Sequence, residues 1–157
     1  MSSSFYARGG DGVFLPSDYT IGPWSREAQH GGPPAALLGR ALEKEAGPEK
    51  QIVRITYDIL KPVPLTPLEV QSKVVRPGKK VALIESSMQS DGVTVMRAAG
   101  WAIRTAELDL PASGAEEEPP EGPDGYAGMG PWEPDPRTNY LRATEWRFVA
   151  GGFFDPG

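Results

Sequence analysis

Apolar residues recur at helical spacing in residues 33–46. The residues that make an apolar face of a helix with about 3.6 residues per turn are Ala36, Leu37, Leu38, Ala41 and Leu42. Proline at positions 33 and 34 suits a first helical turn, because the N–H that proline lacks has no helical partner there. Glycine and proline at positions 47 and 48 end the helix. The pattern therefore predicts one amphipathic helix over residues 33–46.

Residues 51–106 show strand-like runs, rich in β-branched side chains, that alternate with short turns. Residues 76–80 form one turn with proline and glycine, and Asp91-Gly92 is a dipeptide typical of a two-residue hairpin. Turns this short connect antiparallel strands. One helix followed by at least four long antiparallel strands predicts an α+β fold, with a curved sheet wrapped around the helix.

The two ends of the chain differ from its middle. Residues 1–32 mix glycine, proline and aromatic residues, and Phe14 and Leu15 are candidates for a short strand. Residues 107–136 hold seven prolines, five glycines and nine acidic residues but no lysine or arginine, which predicts a flexible linker. The stretch from Tyr140 to Val149 resembles a strand again. Residues 1–106 are therefore interpreted as one domain, and residues 137–157 as the first strand of a second, truncated domain.

Composition excludes several classes of chemistry. The chain has no cysteine and one histidine, which excludes disulfides, thiolate metal sites, a cysteine nucleophile and a multi-histidine metal site, so no metal or cofactor is expected. Outside residues 107–136 there are 16 basic and 12 acidic residues, a balance too weak to predict nucleic-acid binding. No segment approaches the ~18 apolar residues of a membrane span, and a cytoplasmic protein is the default expectation.

The segment Gln29–Pro34, which leads into the helix, is the first candidate site. A helix N-terminus presents free N–H groups, and glycine at positions 31 and 32 lets a carbonyl oxygen approach them closely, as an oxyanion hole requires. The alternative is that Gly31 and Gly32 only form a tight turn. His30 is likewise either part of the site or a structural or exposed histidine.

The turn at residues 76–80 is the second candidate site. It places the positive charges of Arg76, Lys79 and Lys80 together, where they can hold the phosphates of a nucleotide-bearing ligand. The alternative is a solvated turn, which is the usual role of charge at such a position. Asp58 lies within an alternating strand, where exposure to solvent is expected.

Residues 12–106 resemble the thioesterase-like superfamily, and specifically the N-terminal half of the acyl-CoA thioesterase II type, a double hotdog. The resemblance rests on the order and spacing of Gly22-Pro23-Trp24, His30-Gly31-Gly32, the helix of small residues, Arg54-x-Thr56-Tyr57-Asp58-x-Leu60-Lys61-Pro62-Val63, Val74-Val75-Arg76-Pro77-Gly78-Lys79-Lys80 and Asp91-Gly92. It implies a hotdog fold and hydrolysis of acyl-CoA to a fatty acid and CoA. It also implies that the Gly31-Gly32 backbone polarises the thioester carbonyl beside His30, with CoA contacts at Arg76, Lys79 and Lys80.

The chain departs from the family pattern in its acidic residues. Single-hotdog thioesterases often place a carboxylate in the helix, but residues 38–40 hold none and the next is Glu43. In the double-hotdog type the catalytic Asp, Thr and Gln lie in the second hotdog, so the resemblance implies a general base outside this chain. The alternatives are a non-catalytic acyl- or acyl-CoA-binding hotdog module and, less favoured, a dehydratase or hydratase. Since a lone hotdog exposes a sheet edge, we expect a homo-oligomer or a complementary second half.

Overall fold

The computed structural model describes residues 4–109, 111, 121–126 and 139–151. The helices and strands follow one another as β1 (Tyr6–Gly10), β2 (Val13–Pro16), α1 (Gly32–Ala46), β3 (Lys50–Ile59), β4 (Leu68–Arg76), β5 (Val81–Ser90), β6 (Val93–Arg104) and α2 (Asn139–Arg142). Short 3-10 helices form at Asp18–Thr20 and Pro123–Gly125. None of the helices in these described ranges is long and apolar enough to cross a membrane.

The strands form one antiparallel sheet in the order β1-β2-β4-β5-β6-β3. Strands β5 and β6 pair from Val81 opposite Ile103 to Ser90 opposite Val93. Asp91 and Gly92 have φ angles of 48° and 74°, the left-handed backbone that a two-residue hairpin requires. The sheet curves around α1, which confirms the predicted α+β architecture.

The core lies between α1 and the concave face of the sheet. Alternate residues of β5 and β6 point toward the helix, because successive side chains of a strand face opposite sides. Leu38 and Leu42 are completely buried against them. Gly100 on β6 lets Leu42 approach, since a side chain there would begin 3.0 Å from the Leu42 Cδ1 atom. The leucines of the apolar face predicted for residues 33–46 therefore pack on the sheet, whereas the prediction is wrong for Ala36, which is exposed.

The C-terminal segment differs from its prediction. The expected strand from Tyr140 to Val149 is wrong, because Asn139–Arg142 form a helical turn and the described residues 143–149 form turns and an isolated bridge rather than a strand. Tyr140 packs its ring on His30, and its backbone N–H donates to the carbonyl of Ile21 at 3.2 Å. These contacts hold the segment against the domain at residues 1–106. The predicted linker lies largely outside the described residues, and the prediction that residues 137–157 open a second domain stays a prediction.

Candidate active site

The start of α1 offers two backbone donors. Gly31 is the N-cap residue and Gly32 the first helical residue, and prolines follow at positions 33 and 34. Prolines have no N–H, and the N–H of Ala35 already donates to the Gly31 carbonyl at 3.2 Å. Only the N–H groups of Gly31 and Gly32 are therefore left at this helix end.

His30 occupies one of these donors. The N–H of Gly32 donates to the Nδ1 atom of His30 at 3.1 Å, so the proton of the neutral imidazole lies on Nε2. Burial lowers the pKa of His30 below its ordinary value of about 6.5, which favours this neutral form. His30 thus fixes the start of the helix, and its Nδ1 is not available as a general base.

Two aromatic rings enclose the imidazole of His30. The ring of Tyr140 stacks on one side at 4.0 Å between centroids, with an 8° angle between planes, and the Trp24 ring stacks at 5.5 Å and 13°. Phe5 lies 5.8 Å beyond Tyr140. The sequence does not single out Tyr140, because residues 140–149 resemble a strand. A lone tyrosine carried no signal that could link it to His30.

Space at the helix start lies at Gly31 rather than at Gly32. A side chain at Gly31 would meet only the Cδ1 atom of Ile59, at 3.8 Å, whereas one at Gly32 would begin 2.9 Å from the Tyr140 hydroxyl. In the described part of the chain, the Gly31 N–H has no hydrogen-bond partner. Of the two glycines, Gly31 is therefore the one that combines open space at its Cα with an N–H that makes no recorded hydrogen bond.

An apolar flank continues from this donor between α1 and β3. The Tyr57 hydroxyl donates to the carbonyl of Ala35 at 3.0 Å, which fixes β3 against the helix. Gly39 permits this contact, since a side chain there would begin 3.2 Å from that hydroxyl. Ile59 is 61% exposed although its side chain reaches Gly31. We define Gly31, Ala35, Gly39, Tyr57 and Ile59 as the α1–β3 flank; its surface suits an acyl chain.

The basic turn lies far from the helix start. Ile59, which lies beside Gly31, pairs with Met96 on β6, and Met96 pairs with Met88 on β5. The turn at residues 76–80 joins β5 at Val81, seven residues before Met88. At ~3.3 Å per strand residue, the two sites are about 23 Å apart along the sheet. Arg76 lies over the ring of Trp101, 5.8 Å from its centroid. The chain does not bring its two predicted sites together, and ligand binding by Arg76, Lys79 and Lys80 stays a prediction.

The carboxylates are also remote from Gly31. The first turn of α1 has no acidic residue, and the first acid along the helix is Glu43. Asp58 is exposed, as expected, and follows Tyr57 on β3, so it faces the opposite side of the sheet. Among the residues that the structure describes, no group of three histidines or acids is arranged to hold a metal ion.

An antiparallel sheet wrapped around one long helix defines a hotdog domain. A family model described as the acyl-CoA thioesterase N-terminal domain matches residues 20–103, more than half of the chain. The chain therefore belongs to this family, in agreement with the resemblance seen in its sequence. The comparison with curated proteins finds no match.

Solved structures show the same fold. A hotdog-fold protein of unknown function from Alicyclobacillus acidocaldarius matches at 16% identity with a TM-score of 0.70, over 98% of this chain and 55% of that one. A protein from Thermobifida fusca described as a putative thioesterase II matches at 18% identity with a TM-score of 0.64, over 91% of this chain and 51% of that one. A Bacillus halodurans protein solved with CoA matches at 20% identity with a TM-score of 0.55, over 66% of this chain and 74% of that one. The chain thus spans about half the length of the first two relatives.

Proposed function

We propose that this chain is the N-terminal hotdog half of an acyl-CoA thioesterase. The reaction adds water to a fatty acyl-CoA: a C–O bond forms at the carbonyl carbon, the C–S bond breaks, and a fatty acid and CoA leave. The observation that carries the proposal is the Gly31 N–H, which has no hydrogen-bond partner among the described residues and belongs to a residue that borders the apolar α1–β3 flank. The family match to residues 20–103 supports the same chemistry.

The Gly31 N–H polarises the thioester in this proposal. It lies at the positive end of the α1 dipole, where a developing negative charge on the carbonyl oxygen is stabilised. His30 keeps the helix start in place by accepting the Gly32 N–H. The acyl chain extends along Tyr57 and Ile59, where apolar surface is already exposed. The proposal places this reaction in fatty acid metabolism in the cytoplasm.

Water activation comes from outside the chain in this proposal. Glu43 lies eleven residues beyond Gly32, a rise of about 16 Å at ~1.5 Å per helical residue. A second hotdog, in a complementary half or a second copy of the chain, supplies a nearer group. Strand β3 is the route for this association, because it lies at one edge of the sheet and, among the described residues, pairs with β6 alone.

A non-catalytic acyl-CoA-binding module is the second candidate function. The absence of a carboxylate on the first turn of α1 favours it, since the remaining donors hold a carbonyl without activating water. The thioesterase binds acyl-CoA and turns it over, whereas the module binds acyl-CoA without turnover. They also differ in what the second hotdog must contribute, because only hydrolysis needs a general base.

The test is a thioester assay with acyl-CoAs of several chain lengths, read by a thiol reagent. The chain has no cysteine, so all thiol that appears is released CoA. Binding is measured in parallel by calorimetry with a ketone analogue, in which CH₂ replaces the thioester sulfur. Turnover by the chain, alone or with a complementary half, supports the thioesterase. Binding without turnover in both settings supports the module, and neither binding nor turnover contradicts both functions.

A further inference from the structure

The Tyr140 hydroxyl lies at the helix start but has no assigned role. A side chain at Gly32 would begin 2.9 Å from this oxygen. The structure records no hydrogen-bond partner for the hydroxyl among the described residues, and the side chain is partly exposed. Tyr140 also lies beyond residues 20–103, so the family match does not cover it. The hydroxyl is therefore a donor without a partner beside the candidate site.

The Tyr140 ring is held in place without help from its hydroxyl. It stacks on His30 at 4.0 Å and contacts the ring of Phe5 at 5.8 Å. The backbone N–H of Tyr140 donates to the Ile21 carbonyl at 3.2 Å. These contacts orient the ring before any ligand arrives. A preorganised donor of this kind costs little reorganisation when charge develops on a bound carbonyl oxygen.

We propose that the Tyr140 hydroxyl donates the second hydrogen bond to the carbonyl oxygen of the bound acyl-CoA, beside the Gly31 N–H. The Gly32 N–H cannot fill this role, because it donates to His30 Nδ1 at 3.1 Å. Tyr140 replaces that donor and lies against the same glycine. The inference rests on the proposed binding of an acyl-CoA carbonyl, and it holds for the thioesterase and for the binding module alike.

The experiment uses the full chain and the ketone analogue of an acyl-CoA, labelled with ¹³C at the carbonyl. Hydrogen bonds to the carbonyl oxygen move its ¹³C resonance downfield. We expect a downfield shift on binding to the natural chain and loss of much of it with Tyr140→Phe. Affinity for the analogue falls about threefold to tenfold, the usual size of one neutral hydrogen bond. Tyr126→Phe, a matched control away from the stack, leaves both readouts unchanged.

The His30 resonances show whether the Tyr140→Phe stack is intact, because His30 is the sole histidine. Phenylalanine keeps the ring, so these resonances stay near their natural positions. An unchanged carbonyl resonance with Tyr140→Phe overturns the role of Tyr140 while leaving acyl-CoA binding in place. Failure of the natural chain to bind the analogue, both alone and with a complementary half, overturns the proposed function as well, and the calorimetry distinguishes the two results.

Discussion

The protonation state of His30 controls the hydrogen bond at the start of α1. A protonated imidazole carries hydrogen on Nδ1, so it cannot accept the Gly32 N–H. Burial lowers the pKa of His30 in the folded chain, and the unfolded chain therefore takes up the proton at higher pH. The stabilising contribution is complete above about pH 6.5 and is lost as the pH falls through the lower folded pKa. Urea unfolding from about pH 8 to pH 5 measures this loss.

His30→Gln provides the control for this prediction. Glutamine does not titrate, whereas every carboxylate of the chain remains in both proteins. The difference between the two unfolding free energies should therefore shrink as the pH falls through the folded pKa of His30. A difference that stays constant over that range would show that His30 titrates alike in the folded and unfolded chains.

Gly31 and Gly32 should respond differently to a methyl group. Gly31 has φ −63° and ψ −21°, so alanine fits there without backbone strain, and its methyl meets only Ile59 at 3.8 Å. We expect Gly31→Ala to fold normally and to lose about tenfold or more in affinity for the ketone analogue, because the methyl fills the carbonyl position. Gly32→Ala displaces the Tyr140 hydroxyl instead and moves the His30 resonances. Calorimetry measures the affinity of both variants for the ketone analogue, and NMR follows their His30 resonances. An affinity of Gly31→Ala equal to that of the natural chain would contradict the prediction.

At the scale of elements, α1 is held by its buried leucines. Leu38 is 0% exposed and contacts the concave face of the sheet. Leu38→Ala should lower the free energy of unfolding by about 2–5 kcal/mol, since it loses buried apolar surface and leaves a cavity. Leu108, 71% exposed, is the matched control, and Leu108→Ala should change stability by less than about 0.5 kcal/mol. Urea denaturation of both variants measures the difference, and equal losses would contradict the assignment of the core.

Local signals in the sequence predicted most elements of this fold. The prolines of the first turn of α1 and the glycine after the helix predict a helix that the structure bounds at Gly32 and Ala46. Asp91-Gly92 marked a hairpin whose left-handed angles the structure shows. The strand β1 was missed, because Tyr6–Gly10 ends in two glycines and pairs with β2 through an irregular register. Strand patterning is weak where glycine replaces the alternating side chains.

The site was predicted only in part, because its other half depends on tertiary contacts. The glycines at the helix start carried a local signal, and they were predicted as donors. Which glycine stays free follows from the His30 Nδ1 contact and from the position of Tyr140. Tyr140 is distant in sequence from both, and its short helix was interpreted as a strand. No spacing rule connects residues that meet only after the chain has folded.

At the scale of the whole molecule, β3 leaves apolar surface at an open edge. Val53 is 53% and Ile59 61% exposed, and the ten residues of the strand have a described pairing partner on one side only. The other edge is β1, which has only five residues; both edge strands contain a register shift, on β3 between Ile52 and Arg54. Long exposed edges with apolar side chains favour pairing with another strand. We therefore expect the chain to associate through β3, as a dimer of itself or with a complementary hotdog.

Lysine substitution on β3 tests this association. The double variant Val53→Lys/Ile59→Lys places two charges on each copy at the edge, where like charges oppose pairing and desolvation is costly. Light scattering after size exclusion at micromolar concentration should give a dimer mass for the natural chain and a monomer mass for this variant. Val75→Lys is the control, because Val75 is 38% exposed but lies on β4, three strands from β3. A monomeric natural chain would leave pairing with a complementary half as the route through β3, whereas a dimer that survives both β3 lysines would place the interface elsewhere.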